Sequence, residues 1–239
     1  QCAGPAHHAD AHELTEGKMR IGLTGCTGFI GYHLARTLAE EGHEIVGLVR
    51  PHSDSRHVDE YLIDRVTGDL CDGKALRMLA EQVECVIHNA YDRVTDEPLR
   101  HFRTNVLGSL QLLEFARRGG ASQFIFISSI AVYHTILQDR LLDENHPTWP
   151  KDLYGAYKAA IEPFLMAYWE SYGLNCSAFR PAAVYGISPR LEHSLWYDLI
   201  LAVTHGEPID VATGGKIVHV EDVAATIASA VGRYEVAGQ

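Results

Sequence analysis

Thr24-Gly25-Cys26-Thr27-Gly28-Phe29-Ile30-Gly31 is the stretch that decides how this chain folds. It follows an apolar run at 19–23 and leads into a helix-like segment at 32–41. A strand, a turn with three glycines and a helix N-terminus together make an anion site. Backbone N–H groups and the positive end of the helix dipole converge there, which suits a dinucleotide pyrophosphate. In that arrangement Gly25 makes the tight turn, Gly28 lets the backbone approach phosphates, and Gly31 lets helix and strand pack closely. The spacing is GxxGxxG rather than the commoner GxGxxG, so a glycine-rich turn without a ligand is the competing reading. The rest of the chain decides between them.

Working outward, apolar and β-branched runs predict buried strands at 19–25, 44–50, 65–69, 85–90, 123–128 and 175–184. Helix-like stretches lie between them at 28–41, 73–82, 97–118 and 154–172, with a last helix at 223–234. Strands alternating with helices call for a parallel sheet covered on both faces, joined by right-handed crossovers. The expected fold is α/β, a Rossmann-type doubly wound parallel sheet with a small, incomplete C-terminal substrate lobe. Residues 1–18 carry His7, His8 and His12 but no apolar signal-peptide core, and read as a flexible N-terminal extension. Residues 19–239 read as one domain that includes part of the substrate lobe, at about 187–217.

Composition narrows the function. The 239 residues, 46% hydrophobic, are enough for one good-sized core. A net charge of −11 with no dense Lys/Arg cluster argues against a nucleic-acid surface. No apolar run approaches the roughly 20 residues that span a bilayer. Five scattered cysteines without a CxxC pair fit a reducing cytoplasm, and no metal site is expected.

Two further motifs carry chemistry. Tyr154 and Lys158 are four apart, on one helix face and about one turn from each other. An ammonium there favours the phenolate, so the tyrosine can exchange a proton with a substrate hydroxyl while hydride moves to or from nicotinamide. Tyr157 has no lysine four residues on, which leaves Tyr154 as the candidate. The run Phe124-Ile125-Phe126-Ile127-Ser128-Ser129 is a buried strand ending in two hydroxyls. Carboxyl ends of parallel strands face the ligand crevice, so a serine there can hydrogen-bond the reacting oxygen. The competing reading for such a pair is a turn or helix cap.

These motifs, in this order, resemble the extended short-chain dehydrogenase/reductases of the NAD-dependent epimerase/dehydratase family, from Met19 almost to Gln239. Thr24–Gly31 is similar to that family's TGxxGFIG. Asp69-Leu70 resembles the segment that contacts adenine, and Val86-Ile87-His88-Asn89-Ala90 the strand-four segment that lines the cofactor. Asn105, in Asn105-Val106-Leu107-Gly108, resembles the helix asparagine that supports the active site. Ser129, Tyr154 and Lys158 resemble the Ser/Thr–Tyr–Lys triad. Arg180-Pro181-Ala182-Ala183-Val184-Tyr185-Gly186 resembles RPxxVYG beside the nicotinamide, and Val218-His219-Val220-Glu221-Asp222-Val223-Ala224 the late FVHVDDVA element. The resemblance implies cofactor contacts from Gly25, Thr27, Gly28, Phe29, Ile30, Gly31, Asp69, Leu70, Asn89, Ala90, Tyr91, Ser128, Tyr154, Lys158, Pro181 and Val184. It also implies Tyr154 as general acid/base, Ser129 orienting the reacting oxygen, and Lys158 holding the nicotinamide ribose.

NAD-preferring relatives carry an acid at the end of the second strand, where Val49-Arg50 stands here. Arg50 can fork a 2′-phosphate, with Ser53 or Arg56 assisting, which leans the expectation to NADP over NAD, although Asp54 is close by. Ile130 and Ala131 occupy the places of the Asp-Glu pair of sugar-nucleotide dehydratases and cannot transfer protons. Ala183 stands where epimerases and decarboxylases of nucleotide sugars often carry an Asn. The expected function is therefore an NAD(P)-dependent reductase or dehydrogenase acting on a small-molecule carbonyl or secondary alcohol. The alternative is an epimerase with tightly held NAD, and a non-catalytic dinucleotide sensor comes third. Tyr91, Arg93, His134, Tyr185, Arg190, His193 and Trp196 are candidate substrate liners. Leu99, Phe102, Val106, Leu110 and Leu113, at near-helical spacing, suggest a homodimer seam. His219, between Val218 and Val220, is expected to satisfy local backbone groups.

Overall fold

Arg20–Thr24 (β1), Glu44–Val49 (β2), Asp64–Thr67 (β3), Cys85–His88 (β4), Gln123–Ile127 (β5) and Asn175–Phe179 (β6) form one parallel sheet in the order β3-β2-β1-β4-β5-β6. The computed structural model describes residues 17–93, 97–209, 215–235 and 237–238; positions 1–16 of the expected N-terminal extension lie outside the described residues. Strand order reverses between β1 and β4, and a crevice opens outside the carboxyl ends of strands at such a switch point. Thr24 pairs with His88 there, at the last register position of both strands.

Successive side chains of a strand point to opposite faces, and each face acquires its own core. Phe124 and Phe126 of β5 pack with Val46, Leu76, Leu112 and Ile161 on the side of Gly73–Ala80 (α2), Gly108–Gly119 (α4) and Leu153–Tyr172 (α5). Ile125 and Ile127 pack with Ile21, Leu34, Ile87 and Ile227 on the side of Phe29–Glu40 (α1) and Val220–Ala228 (α7). Ile21, Leu34, Leu76, Ile87, Leu112 and Phe124 are fully buried, each worth roughly 1.5–3 kcal/mol over exposure.

The glycine turn holds the geometry that its sequence predicts. Gly25 adopts φ +70° and lies so close to Ala90 that a Cβ would come within 2.9 Å of its backbone. A Cβ on Gly31 would come within 2.0 Å of the Gly25 carbonyl oxygen. Only glycine fits there, and the close approach seats α1 under the turn. Gly28 caps α1 without a side-chain bond, and no acid occupies the first helical turn. The helix's first N–H groups are thus open to an anion.

Three expected elements are corrected. The strand at 175–184 is two: β6 ends at Phe179, and Ala183–Tyr185 (β7) pairs instead with Ile217–His219 (β8) in a separate sheet. Pro181, which has no backbone donor, falls in the break, and Arg180 turns its side chain toward α5. The helix at 97–118 is short Pro98–His101 (α3), a π-turn at Phe102–Leu107, and then α4. Gly108 follows the π-turn so close to the segment after β3 that a Cβ would come within 2.3 Å of the Leu70 carbonyl oxygen. The last helix starts earlier and ends earlier than 223–234, because His219 caps it and the turn at Gly232, with φ +75°, follows it. As expected, His219 satisfies local backbone, its Nδ1 accepting from the Glu221 N–H at 3.4 Å.

Of the small lobe, Tyr197–His205 (α6) and the β7–β8 pair are described, while 210–214 lie outside. The suggested dimer stripe splits: Val106 and Leu113 are core, whereas Leu99 and Phe102 are exposed. No helix among the described residues is long and apolar enough to cross a membrane.

Candidate functional site

A cleft of about 1630 Å³ opens at the carboxyl ends of the central strands. That exceeds the roughly 300–1,000 Å³ common for small-molecule sites and leaves room for a dinucleotide with a second molecule. Every residue expected at the site lines it except Gly31 and Asn105. Gly31 lies beneath the turn. Asn105, buried on the π-turn, acts at one remove. Its Oδ1 accepts from the Asp92 N–H at 2.8 Å and its Nδ2 donates to the Asp92 carbonyl at 3.0 Å, which anchors the loop carrying Tyr91 and Arg93. Asn105 is therefore a positioning residue.

Lys158 is 5% exposed, and its Nζ donates to the Ile127 carbonyl at 2.6 Å. The ammonium lies 4.7 Å from the centre of the Phe126 ring and 5.5 Å from that of Tyr91. Burial, with the Arg93 charge second, brings its pKa down to about 7. Tyr91 meets the Tyr154 ring edge to face, 4.9 Å between centroids. Burial, helped by Tyr154 and Tyr157, pushes the Tyr91 phenol up to about 12 and keeps it neutral.

The serine pair divides its labour. Ser129 caps the Ile130–Tyr133 turn, its Oγ accepting from the Ala131 N–H at 3.2 Å, which is the competing reading raised above. That bond uses a lone pair and leaves the hydroxyl proton available to an oxygen in the cleft. Ser128 donates instead to Glu162 Oε1 at 2.5 Å. Glu162 in turn accepts a two-pronged bond from Arg180, at 3.0 and 2.8 Å, and Arg180 also reaches Tyr133. Sequence reasoning missed this network, although the signal was present: Tyr154, Lys158 and Glu162 repeat every four residues along one face of α5.

It missed a second chain as well. Thr24 Oγ1 accepts from the Asn89 and Ala90 N–H groups at 3.1 and 3.0 Å, so its own proton goes to His88 Nδ1 at 2.7 Å. Ser109 donates to the Asn105 carbonyl at 2.6 Å and therefore accepts from His88 Nε2 at 2.7 Å. His88 is thus neutral with its proton on Nε2, and burial, with the Lys158 charge second, depresses its pKa to about 3. This buried chain ties the glycine turn to the π-turn that holds Asn105.

Arg50 stands exposed at the end of β2 and lines the cleft. Arg56 does not join it. Its guanidinium forks onto Asp54 at 2.9 and 2.8 Å, which holds that carboxyl well below the usual carboxylate range. The pair leaves neither Asp54 nor Arg56 lining the cleft, so Asp54 does not compete with Arg50 there. Asp69 lines the cleft and accepts from the Cys71 N–H at 2.8 Å. Of the candidate substrate liners, Tyr91, Arg93 and His193 reach the cleft, while Tyr185 packs between Trp196 and His219.

Comparison with known proteins agrees with this geometry. The chain is 29% identical over 218 residues to a probable UDP-glucuronate 4-epimerase of Rhizobium meliloti (strain 1021), covering 83% of this chain and 63% of that one. It is 29% identical over 213 residues to a putative dihydroflavonol 4-reductase of Synechocystis, covering 85% of this chain and 60% of that one. It therefore spans less than two thirds of the length of these relatives. Among solved structures, UDP-glucose 4-epimerase of Thermus thermophilus in complex with NAD superposes with a TM-score of 0.76 at 29% identity, over 89% of this chain and 74% of that one. Residues 21–239 match one family profile throughout, and the chain belongs to the NAD dependent epimerase/dehydratase family.

Proposed function

We propose that the protein is an NAD(P)-dependent oxidoreductase of the extended short-chain dehydrogenase/reductase type, acting on a small-molecule carbonyl or secondary alcohol. The observation that carries this reading is the convergence of Ser129, Tyr154 and Lys158 with the glycine turn on one cleft. The residues fit the dinucleotide: Gly25 and Gly31 leave a cradle that a Cβ would fill, and the uncapped N–H groups of α1 face it. When bound, nicotinamide supplies or accepts the hydride. Tyr154 passes its phenolic proton to the reacting oxygen, or takes one back in the reverse direction. Ser129 orients that oxygen by donating its free proton. Lys158, fixed on the Ile127 carbonyl, holds the nicotinamide ribose. Arg50, free of competition from Asp54, favours NADP over NAD. Among the described residues, Cys26, Cys71, Cys85 and Cys176 are free thiols, the first, third and fourth of them buried, in keeping with a reducing cytoplasm.

A second reading, an epimerase holding NAD tightly, draws on the epimerases among the proteins it resembles. Ala183, an apolar side chain lining the cleft where nucleotide-sugar epimerases often carry an Asn, favours the reductase, and Ile130 disfavours a dehydratase. Leu99 and Phe102, exposed beside α4, supply an apolar face for the proposed homodimer, which light scattering on the purified protein tests.

Kinetics of Tyr154→Phe and binding to Arg50→Ala test the main reading. Tyr154→Phe should lower turnover roughly 10²–10⁴-fold. Arg50→Ala should abolish a preference for NADPH over NADH. Retained turnover in the first variant overturns the role of Tyr154, and NAD released only on denaturation together with an indifferent second variant overturns the reading in favour of the epimerase.

A further inference from the structure

Beside the large cleft lies a second cavity of about 280 Å³, which shares Thr27, Gly28, Phe29, Arg50 and His193 with it. One wall is the start of α1 with the segment after β2, which supplies Arg50, His52 and Ser53. The facing wall is the segment after β7, which supplies Arg190 and His193. In a chain of net charge −11, a lining with two arginines, two histidines and no carboxylate is a marked local reversal of sign. Among the described residues, neither arginine is taken up in an ion pair as Arg56 and Arg180 are.

The second wall is built, not draped. Ser188 is 4% exposed, its N–H donates to Ser194 Oγ at 3.0 Å, and its own Oγ accepts from the Arg190 N–H at 3.2 Å. The His193 N–H donates to the Arg190 carbonyl at 2.9 Å, closing one tight turn with Arg190 and His193 at its ends. His33, on α1, donates from Nε2 to the Ile187 carbonyl at 2.9 Å. The helix that opens the first wall thus also anchors the second, so the gap between them is set in advance of binding.

We propose that this cavity is a phosphate-binding subsite, in which Arg190 and His193 face Arg50 and the N-terminus of α1 across one phosphate group. Guanidinium forks and uncapped helix N–H groups are the groups that recognise phosphate oxygens. Two sources can deliver that phosphate: the 2′-phosphate of a dinucleotide held in the adjoining cleft, or the diphosphate of a nucleotide-linked substrate. The inference rests on the dinucleotide reading of that cleft and extends it to a wall outside the glycine turn.

The test is calorimetric titration of NADPH, NADH and UDP into the full chain and into Arg190→Ala and Arg190→Lys. Arg190 is exposed, so its replacement leaves the core untouched. The expected result is NADPH affinity lowered roughly tenfold or more in Arg190→Ala, NADH changed by less than about twofold, and a partial return in Arg190→Lys. A loss confined to UDP also supports the subsite and assigns it to a substrate. Affinities unchanged for all three, or lowered equally for all three, overturn it. Failure of the dinucleotide reading looks different: the parent chain then binds neither NADPH nor NADH.

Discussion

Replacing Lys158 with methionine should make the protein more stable at pH 7 and progressively lose that advantage as the pH rises. Lys158 is almost fully buried, and its pKa falls from the ordinary 10.5 to about 7. Between those values the unfolded chain holds the proton and the folded chain does not. Unfolding then takes up a proton, and stability rises with pH by about 1.4 kcal/mol per unit. The contribution is fully present above pH 10.5 and is lost as the pH falls toward 7, below which both states are protonated and the slope vanishes. From pH 7 to 9 the parent should therefore gain roughly 2.3 kcal/mol on Lys158→Met, whatever offset the lost Ile127 hydrogen bond contributes. Urea titrations at pH 6, 7, 8 and 9, followed by tryptophan fluorescence, give that difference as an increment in midpoint of about 1 M. Arg93→Ala, which removes the second cause of the shift, should move the onset of the slope to higher pH. A parent-minus-variant difference that stays flat from pH 7 to 9 would refute the reasoning, because Lys158 would then hold its proton in the fold as it does in water.

Three further outcomes are expected. Gly31→Ala places a methyl 2.0 Å from the Gly25 carbonyl with backbone on both sides, and should cost about 3 kcal/mol, read as a lower urea midpoint at unchanged slope. Glu162→Gln leaves Arg180 without its carboxylate in a largely buried pair and should cost about 3 kcal/mol by the same assay, whereas Glu162→Asp should cost less. His88 has its folded pKa depressed to about 3 from 6.5, so the unfolded chain binds the proton between those values and acidification destabilises. From pH 6.5 to 5 the parent should lose about 1.6 kcal/mol that His88→Leu does not, and parallel curves for the two would disprove a neutral, network-bound imidazole.

What the sequence determined by itself was everything that local geometry dictates. The glycines at 25, 28 and 31 demand close backbone approach, strand runs that are apolar almost throughout demand a sheet covered on both faces, and a Tyr–Lys pair four apart must share a helix face. The turn was legible, and so was the meeting of Ser129, Tyr154 and Lys158 on one cleft, because each rests on a short local pattern. The break at Pro181 and the π-turn at Phe102–Leu107 were less legible, since their causes lie at other elements: Arg180 turns to Glu162 on α5, and Gly108 passes the Leu70 carbonyl. Only the tertiary structure could show that Asn105 works through Asp92, that Asp54 is held by Arg56, or that Arg190 stands across a cavity from Arg50. Proton affinities followed the same rule. Nothing in the stretch around Lys158 says that it is buried against Phe126 and Tyr91, and burial is a property of the packed whole, where desolvation outweighs local charge.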